Sequence, residues 1–331
     1  MSKQSNELQI LTYVYEPSEW SSIEPSDKPD FLITRQDGAK FGVEVTELFP
    51  SESFARTYVD PEYLPQLFEG GRHRHRDDVS ALNVVRVNVT EEDGTIRIAE
   101  LPAVLSELPT DAEHFAAMAD KVARKNYQAL GYASDLAHVN LVIRDHFSPT
   151  VGEFSTREYM TPAMREALAA SPFREVYVIS STATGTPVYR ALRQLLLLED
   201  FFMFGQTFQH FAQSKGEFEA DLLPSFVHAK SLLGEAVVYS EGGRTPMAIV
   251  GGSGIAYLQD ATSIFSFGDH DIPTSTPMGA PPRQDLALVT DAFVEKRSTM
   301  EFVSQVALPV KNIPDLSAPT AAEYRIERLD D

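Results

Sequence analysis

An α/β fold, with a mixed sheet core flanked by helices and followed by a C-terminal α+β region, is what this 331-residue sequence predicts. Three observations lead there. Two pairs of short alternating apolar runs, each pair split by a Gly-containing turn, read as hairpins. A strongly marked amphipathic helix follows them. Beyond it lies an apolar run of strand character, placed where a crossover connection returns the chain to its sheet.

In chain order, Glu7 to Tyr15 reads as a first helix or strand, and the Pro/Ser-rich stretch from Glu16 to Pro29 as loop. Residues 31–34 and 40–46 alternate around Gln36-Asp37-Gly38, which suits a three-residue hairpin turn with Gly in the left-handed conformation. Residues 47–80 look irregular. The runs at 84–89 and 95–101 flank Glu91-Glu92-Asp93-Gly94 and form a second hairpin. From Thr110 a helix is predicted to about Leu130: Thr110 and Glu113 make a capping box, Phe115, Met118, Val122 and Ala129 keep helical spacing, and Gly131 stops it.

The run at 138–144 is a buried strand, and a helix near 157–170 with a strand at 174–180 extends the sheet. From Thr184 come a Leu- and Phe-rich helical stretch, a helix near 216–233, and strands around 235–239, 246–250 and 253–258. The stretch 270–285 is rich in Pro, Thr and Gly, and the tail from Pro309 is expected to wrap the surface or fray. The division expected is a domain over 1–182 and an α+β domain over 183–331.

The chain has no cysteine, which excludes disulfides and thiolate metal sites and fits a reducing cytoplasm. A membrane-spanning run and a secretory leader are both missing from the pattern, so a soluble cytoplasmic protein is expected. With 28 basic and 48 acidic residues the formal charge is −20, which opposes non-specific binding to phosphate backbones unless a local basic cleft exists.

Counting outward from the first turn sets Thr34 opposite Lys40 and Asp30 opposite Glu44, while Phe31 meets Val43 and Ile33 meets Phe41 on the other face. Two carboxylates facing each other across a hairpin can share a divalent cation, completed by the Val45 carbonyl; the alternative is a plain exposed hairpin face.

Pro29-Asp30, a hairpin, and then Glu44-Val45-Thr46 resembles the signature of the PD-(D/E)XK nuclease superfamily, and residues 7–145 resemble that family's core order. The resemblance implies a restriction-endonuclease-like fold, Mg²⁺ (or Mn²⁺) held by Asp30 and Glu44, and hydrolysis of nucleic acid, DNA ahead of RNA, in settings such as defence or mobile elements. It departs at Thr46, where the family carries the lysine that orients the attacking water. Some members supply that lysine from the following helix, where this chain has Lys121 and Lys125, four residues apart on one face, with His114 further back along the stripe. A solvated helix face is the other reading of those lysines.

Glu16, with Glu19, is the candidate for a further acid from the start of the chain; exposed loop acids are the alternative. The densest basic run, Arg72-His73-Arg74-His75-Arg76, and Arg124 on the helix are candidate phosphate contacts, although Asp77 and Asp78 follow the run at once. Asp269-His270-Asp271 reads as loop, Gly251-Gly252-Ser253-Gly254 as a tight turn, and the phenylalanines of 201–211 as core or a partner interface.

Three functions follow: a Mg²⁺-dependent nuclease, a binding or regulatory protein keeping the nuclease-like fold without chemistry, and an α/β enzyme acting on a small phosphorylated ligand through its second half. No membrane partner is expected, and homo-oligomers are compatible with all three.

Overall fold

The computed structural model describes residues 3–78, 80–91, 95–107, 109–132, 135–146, 159–181, 187–215, 221–240, 247–251, 253–258, 263–267, 287–299, 311–312 and 324–328. The second-hairpin turn at Glu92 to Gly94, Asp269 to Asp271 and the stretch 270–285 lie outside them.

The chain begins with helix α1 (Lys3–Thr12), a 3-10 turn (Pro17–Glu19) and strand β1 (Ser22–Pro25), which pairs antiparallel with β2 (Phe31–Thr34). The stretch 16–29 is therefore not simple loop. β1 is an edge strand only four residues long, and Pro25 is tolerated there because an edge needs fewer donors.

β2 pairs with β3 (Lys40–Leu48) in the expected register, with Phe31 opposite Val43, Ile33 opposite Phe41 and Thr34 opposite Lys40. At the turn Gly38 has φ +86°, and Arg35 N donates to Ala39 O at 2.8 Å. A left-handed residue without strain is what glycine supplies here.

Between β3 and the long helix lies an insertion of α2 (Glu52–Val59), α3 (Tyr63–Gly70), β4 (Arg72–His73), β5 (Leu82–Glu91) and β6 (Ile96–Leu105). This corrects the irregular reading of 47–80. Two eight-residue helices are too short to display a period, and the first is capped partly from afar: Ser51 Oγ accepts from Phe54 N, and Asp78 accepts from Glu52 N and Ser53 N, both at 2.8 Å. Tyr63, Leu67 and Leu82 form this insertion's own small apolar cluster. β5 and β6 make the expected hairpin.

Helix α4 (Asp111–Ala129) starts with the reciprocal capping box of Thr110 and Glu113. It crosses over to β7 (Val139–Asp145), parallel to β3; α5 (Pro162–Ala169) then leads to β8 (Val176–Ser181), parallel to β7. β9 (Pro187–Ala191) adds antiparallel to β8, so the sheet continues beyond residue 182.

Alternation along these strands separates two cores. Leu48, Leu141, Ile143, Val176 and Val178 pack under α4, α5 and the start of α6 (Leu192–Lys215), whereas Val43, Val45, Val142, Tyr177 and Ile179 pack under α1. On β3, Glu44 and Thr46 accordingly share the α4 face with Leu48.

The second half comprises α6, α7 (Leu222–Leu232), the antiparallel strands β10 (Val237–Ser240), β11 (Met247–Val250), β12 (Ser253–Leu258) and β13 (Ser263–Phe267), and α8 (Ala287–Thr299). Of the phenylalanines of 201–211, Phe201 and Phe204 fall as core, buried against Phe226, with Phe204 also meeting Phe293; Phe208 and Phe211 are partly buried and Phe202 is exposed. The tail does not simply fray, because β14 (Lys311–Asn312) pairs with β9 and β15 (Tyr324–Arg328) pairs with β5. The main sheet thus runs β1-β2-β3-β7-β8-β9-β14, a mixed open sheet. Among the described residues no helix is long and apolar enough to cross a membrane.

Candidate active site

Asp30 stands one residue before β2, where the β2–β3 ladder ends, and its Oδ2 accepts from Val45 N at 2.9 Å. Asp30 thereby caps a strand edge that β2 no longer covers. In an extended strand the N–H and C=O of one residue share an edge, so the Val45 carbonyl lies on the same side as Asp30. Glu44, buried on the α4 face of β3, is met by Lys125 from α4, with Nζ 2.5 Å from Oε1. The hydroxyl of Tyr132, just past the end of α4, faces the Glu44 carboxylate. Burial first and that carboxylate second push the Tyr132 phenol above its ordinary range, so it stays a donor.

Two carboxylates on one edge repel, and the chain shows it. The Asp30 carboxyl is pushed up to about 6, first by burial and further by Glu44 and Glu7, against the lowering effects of the Val45 N–H and Lys125. Glu7 on α1 is itself paired with Lys3 at 3.2 Å. Glu7, not Glu16, is thus the acid from the start of the chain that faces Asp30. Glu16 is exposed ahead of the 3-10 turn, within reach only of Ser18 Oγ at 3.4 Å.

The two helix lysines part company. Lys121, half-buried, is held below its ordinary value first by burial and then by Arg124 and Lys125, and the acids it senses are Glu52 and Asp120 rather than Asp30 or Glu44. His114 does not continue the basic stripe toward the site: it is buried, with Nε2 3.1 Å from Asp145 Oδ2. It belongs to the core beneath α4 beside Phe115 and Tyr159.

The candidate phosphate contacts also divide. Arg124 pairs with Asp120 at 2.5 Å on the exposed face of α4, and Arg76 faces Asp77 at 3.4 Å. Arg72 and Arg74 have no ion-pair partner among the described residues, and they line a pocket of about 640 Å³.

Whether these groups suit a hard divalent cation can be judged from the donor set. Asp30 and the Val45 carbonyl share one edge of β3 with Glu44 on the adjoining face, and a half-buried carboxyl raised first by burial and then by its carboxylate neighbours is what a cation would relieve. Mg²⁺ and Mn²⁺ keep several waters and need only one or two carboxylates, so the set fits. Among the described residues no group of three or more His, Asp or Glu side chains is arranged as a metal cage. Glu7 and Tyr132 were not found from sequence. The only signal for Glu7 was an acid on the first element, and none marked Tyr132. Comparison with known protein families, with curated proteins and with solved structures finds no match to this chain.

Proposed function

We propose that this chain is a divalent-metal-dependent nuclease of the PD-(D/E)XK type whose lysine has moved from the third motif position to the following helix. The observation carrying this reading is the 2.5 Å contact of Lys125 Nζ with Glu44 Oε1, beside the strand edge that holds Asp30.

Asp30, Glu44 and the Val45 carbonyl would hold Mg²⁺ or Mn²⁺, which supplies charge stabilisation to the phosphate and acidifies a bound water. Lys125 keeps an ammonium at the same carboxylate, where it can donate to the attacking water and to a phosphate oxygen. Thr46, on the same face of β3, offers only a neutral hydroxyl and cannot supply that charge. Tyr132, whose phenol stays protonated beside Glu44, adds a neutral polar group at that carboxylate. Attack by water in line with the leaving oxygen predicts inversion at phosphorus. DNA is the favoured substrate, and homo-oligomerisation is compatible with the reading.

The formal charge of −20 favours a second reading, a binding protein that keeps the fold without chemistry. Cleavage of plasmid, linear duplex and single-stranded substrates with Mg²⁺ or Mn²⁺ separates the two. Metal-dependent cleavage present in wild type and absent in a folded Glu44→Ala variant supports the nuclease; no cleavage and no metal binding by wild type supports the binding protein.

A further inference from the structure

The insertion between β3 and α4 contains a pocket of about 640 Å³ at the root of the β5–β6 hairpin, within the range of about 300–1,000 Å³ typical of ligand sites. Its lining is polar and cationic, with Arg72, His73 and Arg74 on one side and Ser80, Asn83 and Glu107 on the other. The single carboxylate there is occupied, since Ser80 Oγ donates to Glu107 Oε2 at 2.5 Å. Arg72 and Arg74 find no ion-pair partner among the described residues, unlike Arg76 two positions on, which faces Asp77. In a chain of charge −20, two guanidinium groups against one carboxylate in the same cavity are a local reversal of sign.

We infer that this pocket binds a phosphate-bearing nucleotide unit. Guanidinium forks match phosphate oxygens bidentately, and the planar groups of Arg72 and Arg74 can stack on a base whose edge meets the Asn83 amide and the Ser80 hydroxyl, while the His73 ring is already packed against Tyr63. The cavity holds more than a phosphate alone would need.

The pocket is also stitched to the candidate active site. His75 N donates to Ser53 Oγ at 2.7 Å, Asp78 holds Glu52 N and Ser53 N, and Glu52 in turn lies in the field of Lys121, one turn from Lys125 on α4. A strand with its scissile phosphate at Lys125 and running past Lys121 toward this insertion would meet Arg72 and Arg74 with a nucleotide further along. In this form the inference rests on the nuclease reading. The nucleotide could equally be free, because its chemistry is the same.

The test is fluorescence anisotropy of a labelled single-stranded oligonucleotide in EDTA, where no cleavage intervenes, across a salt series. The Arg72→Ala/Arg74→Ala variant should bind at least tenfold more weakly, and its slope of log affinity against log salt should fall by about 1.4, about 0.7 per lost phosphate contact. Arg76→Ala should stay within about twofold of wild type, because Arg76 does not line the pocket. Asn83→Asp, which adds one negative charge to the lining and gives up the Nδ2 bond to Ala81 O at 3.3 Å, should weaken binding while keeping a cooperative thermal transition, guarding against a double variant that merely misfolds. Displacement of the oligonucleotide by a nucleoside 5′-monophosphate, but not by the nucleoside, supports the pocket; saturable binding of the monophosphate with none of the oligonucleotide also supports it and makes the ligand free nucleotide. No binding of either, or equal losses in Arg76→Ala and the double variant, overturns the inference. Pocket-dependent binding without metal-dependent cleavage would fail the nuclease reading alone. Cleavage whose KM is indifferent to Arg72 and Arg74 would fail the pocket alone.

Discussion

Asp30 carries the clearest pH dependence of any residue at the site. Its folded-state carboxyl is raised to about 6, above the range of an unfolded chain, so its contribution favours folding in acid and is lost as pH rises through 6. A cation binds the ionised form and must displace that proton below pH 6. Mn²⁺ titrations by calorimetry should show apparent affinity rising about tenfold per pH unit up to about 6 and flattening above. Asp30→Asn should remove the pH dependence together with most of the affinity, and a flat wild-type profile would sink the cation assignment. A second prediction concerns the lysines. Lys125→Ala should lower single-turnover cleavage by about 10²–10⁴, with partial return in Lys125→Arg, because it removes a donor at the reacting centre. Lys121→Ala should change the rate only a few-fold, since Lys121 faces Glu52 and Asp120. The hairpin register that brings Asp30 to the Glu44–Val45 end of β3 was legible because a strand repeats every two residues, so counting from Gly38 determines the partners from Thr34–Lys40 to Phe31–Val43. Which lysine reaches Glu44 was not legible. A helix places residues four apart on one stripe, but where that stripe meets the sheet depends on the crossover's packing.

The hairpin itself depends on one close approach. A Cβ added at Gly42 would lie 2.4 Å from Pro29 Cγ and 3.0 Å from Leu136 Cδ1, and the proline ring is tied to the backbone that carries Asp30. Gly42→Ala should therefore cost about 1–3 kcal/mol in urea unfolding, as overpacking does, and reduce cleavage by more than the stability loss explains. Wild-type-like rates would show that Asp30 tolerates the shift. Elements with a strong local signature were readable here: the hairpin through its turn glycine, and α4 through its capping box and its buried stripe of Phe115, Met118 and Val122. Elements whose support is distant were not. α2 relies on Asp78 for its first N–H groups; β9 is only Pro187-Val-Tyr-Arg-Ala before a long helix; and β14 and β15 exist through pairing with strands over a hundred residues earlier.

Across the whole molecule, the two halves are joined through Glu175, which is fully buried. Its Oε1 accepts from Val176 N at 2.9 Å and Arg193 N at 2.7 Å, and its Oε2 accepts from Gln194 N at 3.2 Å and Ser253 Oγ at 3.1 Å. One carboxylate thus holds β8, the first turn of α6 and β12. Burial raises it to about 7 despite these donors, so its contribution to stability declines as pH rises through 7. The apolar core crosses the same boundary, because Leu192, Leu195 and Leu196 of α6 complete the cluster under α4 and α5, and β9 covers the edge of β8. Composition and period mark where a helix-rich second half begins, but not that its first strand and first helical turns finish the core of the first half. A fragment ending at residue 182 would expose the β8 edge, lose those three leucines and strip Glu175 of three of its four donors together with the α6 and β12 segments that bury it. Each lost core leucine costs about 2–5 kcal/mol, so the three together exceed the lower end of a typical domain's margin of about 5–15 kcal/mol. The fragment should show no cooperative thermal transition by near-ultraviolet circular dichroism and should self-associate in size-exclusion chromatography. A cooperative transition at the full chain's midpoint would instead mean that the sheet folds independently and that α6 only docks on it.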